Sequence, residues 1–189
     1  MLKFFRPVLA GLIIAALASC STNQERYLLP PIENVKTYRS GVRTVEVTRI
    51  DLPAYAEDSE ISVLGEDGVL RPTKSGFWAD APDRALTELL AAGLDQSLSA
   101  SVAAEPWPFE TPPDVQVEIK VHNLSGIPGQ VLTLSGQYFL TSPAHGHLER
   151  AHRFSFAVPM ADDSLNAVAA AQSQAIKLLV EDIARRIAN

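Results

Sequence analysis

Val115-Gln116-Val117-Glu118-Ile119-Lys120-Val121-His122 alternates apolar and polar side chains without a break. A period of two puts the four apolar residues on one face of a strand and Gln116, Glu118, Lys120 and His122 on the other. That is the pattern of an antiparallel strand with one dry face and one wet face. Gly126-Ile127-Pro128-Gly129 reads as a turn, and Gln130 to Thr141 as a second strand on which Leu132, Leu134, Tyr138 and Leu140 align. Ser142-Pro143-Ala144-His145-Gly146 makes another turn before a strand from Leu148 to Val158, with Phe154, Phe156 and Val158 on one face. Turns this short leave no room for parallel crossovers, so the three strands form a meander.

Helical periodicity brackets the meander. Downstream, Leu165, Val168, Gln172, Ile176, Leu179, Ile183 and Ile187 trace one stripe from about Ser164 to Ile187. Asp162 and Asp163 precede it, and Arg185 and Arg186 sit in its last turn, as the helix dipole favours. Upstream, Asp80 as N-cap, Pro82 in the first turn and Asp83 announce a helix carrying Leu86, Leu89, Leu90, Leu94 and Leu98. Gly93 falls on that stripe at a cost of ~1 kcal/mol, which predicts close approach to a sheet. Pro106, Pro108, Pro112 and Pro113 then end the element in a stiff loop around Trp107. Before the helix, Val42 to Leu52 reads as a strand with Val45 and Val47 on one face. Ile61 to Leu64 and Val69 to Leu70 flank Gly65-Glu66-Asp67-Gly68 as a hairpin. The predicted class is α+β: strands, helix, three strands, helix, in a single antiparallel sheet with both helices on one face. Leu86, Leu90, Leu94, Ile176, Leu179 and Ile183 are expected to pack on Val117, Ile119, Leu134 and Phe156.

The N-terminus has another character. Lys3 and Arg6 precede an apolar stretch from Val8 to Leu17, and Leu17-Ala18-Ser19-Cys20 closes it. A bilayer span needs ~20 apolar residues, so this is a secretory signal and not a membrane helix. Small residues followed by the chain's one thiol resemble a lipobox, in which Cys20 takes a diacylglyceryl group and an N-acyl chain and becomes the mature N-terminus. Two or more acyl chains anchor firmly, at ~0.8 kcal/mol per buried methylene. With one cysteine there is no intrachain disulfide and no thiolate metal cluster. The predicted organisation is a signal peptide at 1–19, a lipidated tether with one short strand at 20–41, and a single α+β domain at 42–189. Tyr27-Leu28-Leu29 supplies that strand, and Pro30-Pro31 interrupts it.

Composition narrows the partners. The 189 residues are 47% apolar and 20% charged, ordinary for one globular domain. Losing Lys3 and Arg6 leaves 14 basic against 22 acidic residues, a mature charge of −8. An acidic body suits neither nucleic acid nor anionic headgroups, so the lipid must do the anchoring.

No nucleophile elbow, phosphate-binding glycine loop or zinc-protease helix is present in the sequence. His145, His147 and His152 are close in sequence, but a closed metal site usually takes four ligands and a polar turn explains them more simply. Glu57-Asp58 and Glu66-Asp67 fall in turn-like sequence and read as solvated surface, not as acid–base pairs. Tyr55 and Trp78 stand out more: each is read first as packing at a strand end and second as a recognition group. Trp107 invites the same second reading.

At these residues a family resemblance emerges. Leu52-Pro53-Ala54-Tyr55, then Glu60-Ile61-Ser62-Val63, then Phe77-Trp78-Ala79-Asp80 opening a leucine helix, resemble the ABC-transport auxiliary lipoproteins, among them the lipoprotein subunit of the paraquat-inducible (Pqi-type) intermembrane systems. Ala170-Ala171-Gln172-Ser173-Gln174-Ala175 and Asp182-Ile183-Ala184 are similar to the family's closing helix. The chain departs from the pattern at Phe77, where the family often has arginine, and at Glu57-Asp58-Ser59, where an aspartate-arginine-proline run is common. The resemblance implies a non-enzymatic periplasmic subunit that needs no cofactor and works with an MCE-domain protein and an ABC transporter or permease to move lipid between membranes. It points to Leu52, Pro53, Tyr55 and Trp78 as the partner-binding residues, on one contact surface at the sheet end formed by Leu52 to Ile61 and the segment Gly76 to Ala81. Ser21 after the cysteine resembles the pattern sorted to the outer membrane. Two other functions stay open: a lipid carrier with an apolar cavity, and a lipoprotein hydrolase. A homo-oligomer is compatible with all three.

Overall fold

The alternation at 115–122 has its structural counterpart: Val115, Val117, Ile119 and Val121 are buried, while Glu118, Lys120 and His122 are exposed. The computed structural model describes residues 24–144, 146 and 149–189; the signal segment 1–19, Cys20, His145 and His147 lie outside the described residues. In chain order the elements are β1 (Glu25–Tyr27), β2 (Thr44–Val47), α1 (Ala54–Glu57), β3 (Glu60–Leu64), β4 (Leu70–Trp78), α2 (Pro82–Ser97), β5 (Ser101–Ala104), β6 (Val115–Gly126), β7 (Val131–Thr141), β8 (Glu149–Pro159) and α3 (Leu165–Ala188).

β6, β7 and β8 form the antiparallel meander, with Ile119 opposite Tyr138 and Tyr138 opposite His152. The single antiparallel sheet with two helices is not what the chain builds. There are two sheets among the described residues, a five-stranded one in the order β5-β2-β6-β7-β8 and a three-stranded one in the order β1-β4-β3, together with a third, one-turn helix, α1. β2 is parallel to both its neighbours, and β1 is parallel to β4. The physical reason is the long excursion from β2 to β5. It passes through the β3–β4 hairpin and α2, which is length enough for the crossover that parallel strands require. β5, Ser-Val-Ala-Ala, is too short to show a period. The hairpin leaves the main sheet because the chain follows β6 only as far as Asp51, bonding Ile119 O and Val121 N, before Pro53 and α1 turn it away.

The long helices cover one face of the five-stranded sheet. Leu86, Leu90, Leu94, Ile176, Leu179 and Ile183 share one buried cluster with Val117, Ile119 and Leu134, with Phe156 partly buried at its edge. Gly93 makes its close approach to α3, at Val180, and not to a sheet. Nor does Asp80 cap α2. The cap is Ala81, with Pro82 in the first turn, and the Asp80 carboxylate instead accepts from Ala81 N at 2.7 Å and pairs with Arg84. Ser164 caps α3, its Oγ accepting from Ala167 N at 3.1 Å.

The segment ahead of β2 is fastened along the helices. β1 pairs with β4, Ile32 is buried, Lys177 Nζ donates to Glu33 O at 2.8 Å, Ser97 Oγ donates to Lys36 O, and Tyr38 N donates to Ser97 O at 2.7 Å. These contacts make residues 25–38 a strap from the start of α3 to the end of α2.

Candidate docking site

The site is assembled where the two sheets meet. Leu52 is buried, and Pro53 O accepts from Ala56 N at 2.7 Å to close the turn of α1. That turn swings Tyr55 over β6 where the β6–β7 register slips between Val121 and Asn123. A bulge leaves backbone groups without ladder partners. The Tyr55 hydroxyl accepts from Leu124 N and donates to Asn123 Oδ1, each at 3.1 Å. Trp78 ends β4 with its backbone N–H donating to Ser59 O at 2.8 Å, and Ala79 N donates to Tyr27 O at 2.9 Å. Glu60 pairs with Phe77, so the segments 52–61 and 76–81 are neighbours in space.

Trp78, 7% exposed, stands between two small clefts. Tyr55, Ile61 and Leu124 line one, and Tyr27, Leu28 and Leu86 line the other. Trp78, Pro82 and Gln172 belong to both. Each has about 20 Å³ of free volume, room for one water. An acyl chain needs a cavity on the order of several hundred Å³, so these clefts suit a protein side chain at their mouths and not a buried lipid. Leu28, 74% exposed, projects beside the second cleft as an apolar group with no cover from the described residues. The rim carries the Asp80–Arg84 pair, and the Asp80 carboxyl is held below the usual carboxylate range by Arg84 first and by the Ala81 N–H second. Pattern reading placed Leu28 in the tether and Gln172 on the helix stripe. Neither has a local signal for a cleft, since the cleft exists only once the strap carrying Leu28 has docked beside Gln172 of α3.

Elsewhere the titratable groups are dispersed. His152 packs against Tyr138 with ring centroids 5.2 Å apart, and its Nε2 is buried without a hydrogen-bond partner. Burial, and then the positive charge of Arg186, lower its pKa. Tyr138 Oη donates to Asp182 Oδ2 at 2.7 Å, and burial followed by that carboxylate pushes the phenol well up. Glu57, Asp58, Glu66 and Asp67 are exposed. Asp67 pairs with Arg71 at 2.6 Å. No group of three or more His, Cys, Asp or Glu is placed to hold a metal ion among the described residues. Trp107 donates from Nε1 to Thr111 O at 2.8 Å and meets the exposed Phe109 edge to face at 5.0 Å. A polar groove of about 220 Å³ runs between Pro30–Glu33 of the strap and Ala170, Ser173 and Lys177 of α3.

The fold recurs in solved structures. One, described as an uncharacterized protein, has a TM-score of 0.70 at 17% identity, with 87% of this chain and 99% of that one covered. A Xanthomonas campestris protein of the DUF330 family has a TM-score of 0.67 at 18% identity, covering 84% of this chain and 92% of that one. Both show the fold alone. No curated relative matches the sequence. Residues 27–184 match the family model described as the ABC-type transport auxiliary lipoprotein component, and the chain belongs to that family. Its members are accessory components of transport, and the family is one of lipoproteins. Among the described residues no helix is long and apolar enough to cross a membrane.

Proposed function

We propose that this protein is a non-enzymatic lipoprotein, acylated at Cys20 and held on the outer membrane facing the periplasm. There it docks an MCE-domain protein of an ABC-type system that moves lipid between membranes and supports envelope integrity. Family membership supports the accessory role. The observation that carries the docking reading is the convergence of Tyr55 and Trp78, 23 residues apart in sequence, on one cleft, with the exposed Leu28 at the adjoining cleft on the other side of Trp78. A partner aromatic or aliphatic side chain entering such a cleft is the usual core of a hot spot, worth ~2 kcal/mol or more.

Pull-down with an MCE-domain protein from the same organism, using Leu28→Asp and Trp78→Ala after a thermal melt shows both folded, is the test. Loss of capture by at least one variant is expected, and undiminished capture by both would move the docking surface elsewhere. Membrane fractionation of Cys20→Ser tests the anchor: release is expected, and a variant that stays fully membrane-bound would remove the lipobox reading.

A further inference from the structure

We infer that a leash of four peptide steps holds the α3 N-terminal end of the body at the bilayer, so that the Trp78 cleft opens beside the membrane and the Val115 end points away. This rests on the acylation of Cys20 proposed above.

Length is the first argument. From Cys20 to Gln24 an extended chain covers roughly 14 Å. Nothing further along lengthens it, because β1 is paired to β4, Ile32 is buried, and Glu33 and Lys36 are bonded to Lys177 and Ser97. Had residues 20–41 all been free, the anchor would set no orientation.

The start of the strap then identifies the end that faces lipid. Glu25 pairs with Gly76, whose Cα lies hard against the Leu165 side chain in the first turn of α3. Asp163, just before it, packs on Gly129 of the β6–β7 turn. Glu25, Gly76, Leu165 and the 126–129 turn therefore make one end of the molecule. At the other end Val45 pairs with Val115, and Arg43 N donates to Asp114 Oδ2 at 2.7 Å. The β6 strand between the two ends is roughly 36 Å long. Two of the exposed large apolar side chains, Leu28 and Val131, belong to the leash end, where an interface accepts them. The Trp78 cleft, one residue pair beyond Phe77 and Arg26, is thus reached by a partner at the membrane surface.

The test uses the full acylated protein in phosphatidylethanolamine–phosphatidylglycerol vesicles carrying a headgroup acceptor dye. Cys20 is the sole cysteine, so one added cysteine is a unique thiol for a donor dye. Labels at Lys74→Cys and Val131→Cys report the leash end, and Gly41→Cys, in open space, reports the far end. Transfer from the first two is expected to exceed that from Gly41→Cys several-fold, and a Gly/Ser insert of about a dozen residues after Ser21 should erase the difference. Equal transfer from all three sites in vesicle-bound protein, or a difference untouched by the insert, would overturn the orientation while leaving acylation intact. Protein that lacks the acyl mass and does not float with vesicles would overturn both.

Discussion

Gly93 of α2 lies so close to Val180 of α3 that a methyl group at residue 93 would stand 2.7 Å from Val180 Cγ2 and 3.4 Å from Ile32 Cδ1. The two long helices and the strap thus meet at one point, and the missing side chain is what lets them. Helix α2 tolerates the glycine because Leu90 and Leu94 on either side are fully buried.

Gly93→Ala should therefore destabilise the fold although alanine is the better helix former. Propensity gains ~1 kcal/mol, while overpacking a rigid branched side chain costs ~1–3 kcal/mol. Adding Val180→Ala should recover part of the loss, and a thermal-melt cycle over the four proteins measures the coupling. A Gly93→Ala protein more stable than the parent would show that the helices separate freely.

Tyr55→Phe is expected to cost about 1–3 kcal/mol in chemical denaturation. It removes the hydroxyl that accepts from Leu124 N at the β6 bulge and leaves a buried donor unpaired. An unchanged midpoint would mean that water replaces the hydroxyl.

Leu90→Ala and Leu179→Ala should each cost about 2–5 kcal/mol, since both side chains are fully buried between helices and sheet. Equilibrium unfolding checks this, and near-zero changes for both would contradict the packing.

His152 sets a pH dependence with a definite sign. Its folded pKa lies below the ordinary value near 6.5, mainly through burial, with Arg186 and Arg150 lowering it and Asp182 opposing them. Above about pH 6.5 both states are neutral; below it the unfolded chain takes the proton first, so stability falls as pH drops toward the folded pKa. Denaturation between about pH 7.5 and 5 should show a shallower decline for His152→Gln than for the parent. Parallel curves would assign the loss to other groups.

The meander was legible because Val115 to His122 alternate strictly and the following turns are marked by Gly126, Pro128, Gly129 and Pro143. The α3 stripe was legible for the same reason at a period of 3.6. Tyr55 and Trp78 could be picked out as unusual residues, yet that they share one cleft could not, because the bulge at Val121–Asn123 and the turn at Pro53 act through space. Leu28 and Gln172 carried no warning at all.

By itself the sequence determined every element whose side chains repeat over two turns or more: β6, β7, β8, α2 and α3. Periodicity is written into the order of residues and needs no partner to be read. Only the tertiary structure decided that β2 lies parallel between β5 and β6, that β3 and β4 leave for a second sheet, and that the strap docks on the helices. Those choices rest on pairings between short segments far apart in the chain. β1 has three residues and β5 four, too few for a pattern, and their free energy comes from the edge and groove that the rest of the fold presents to them.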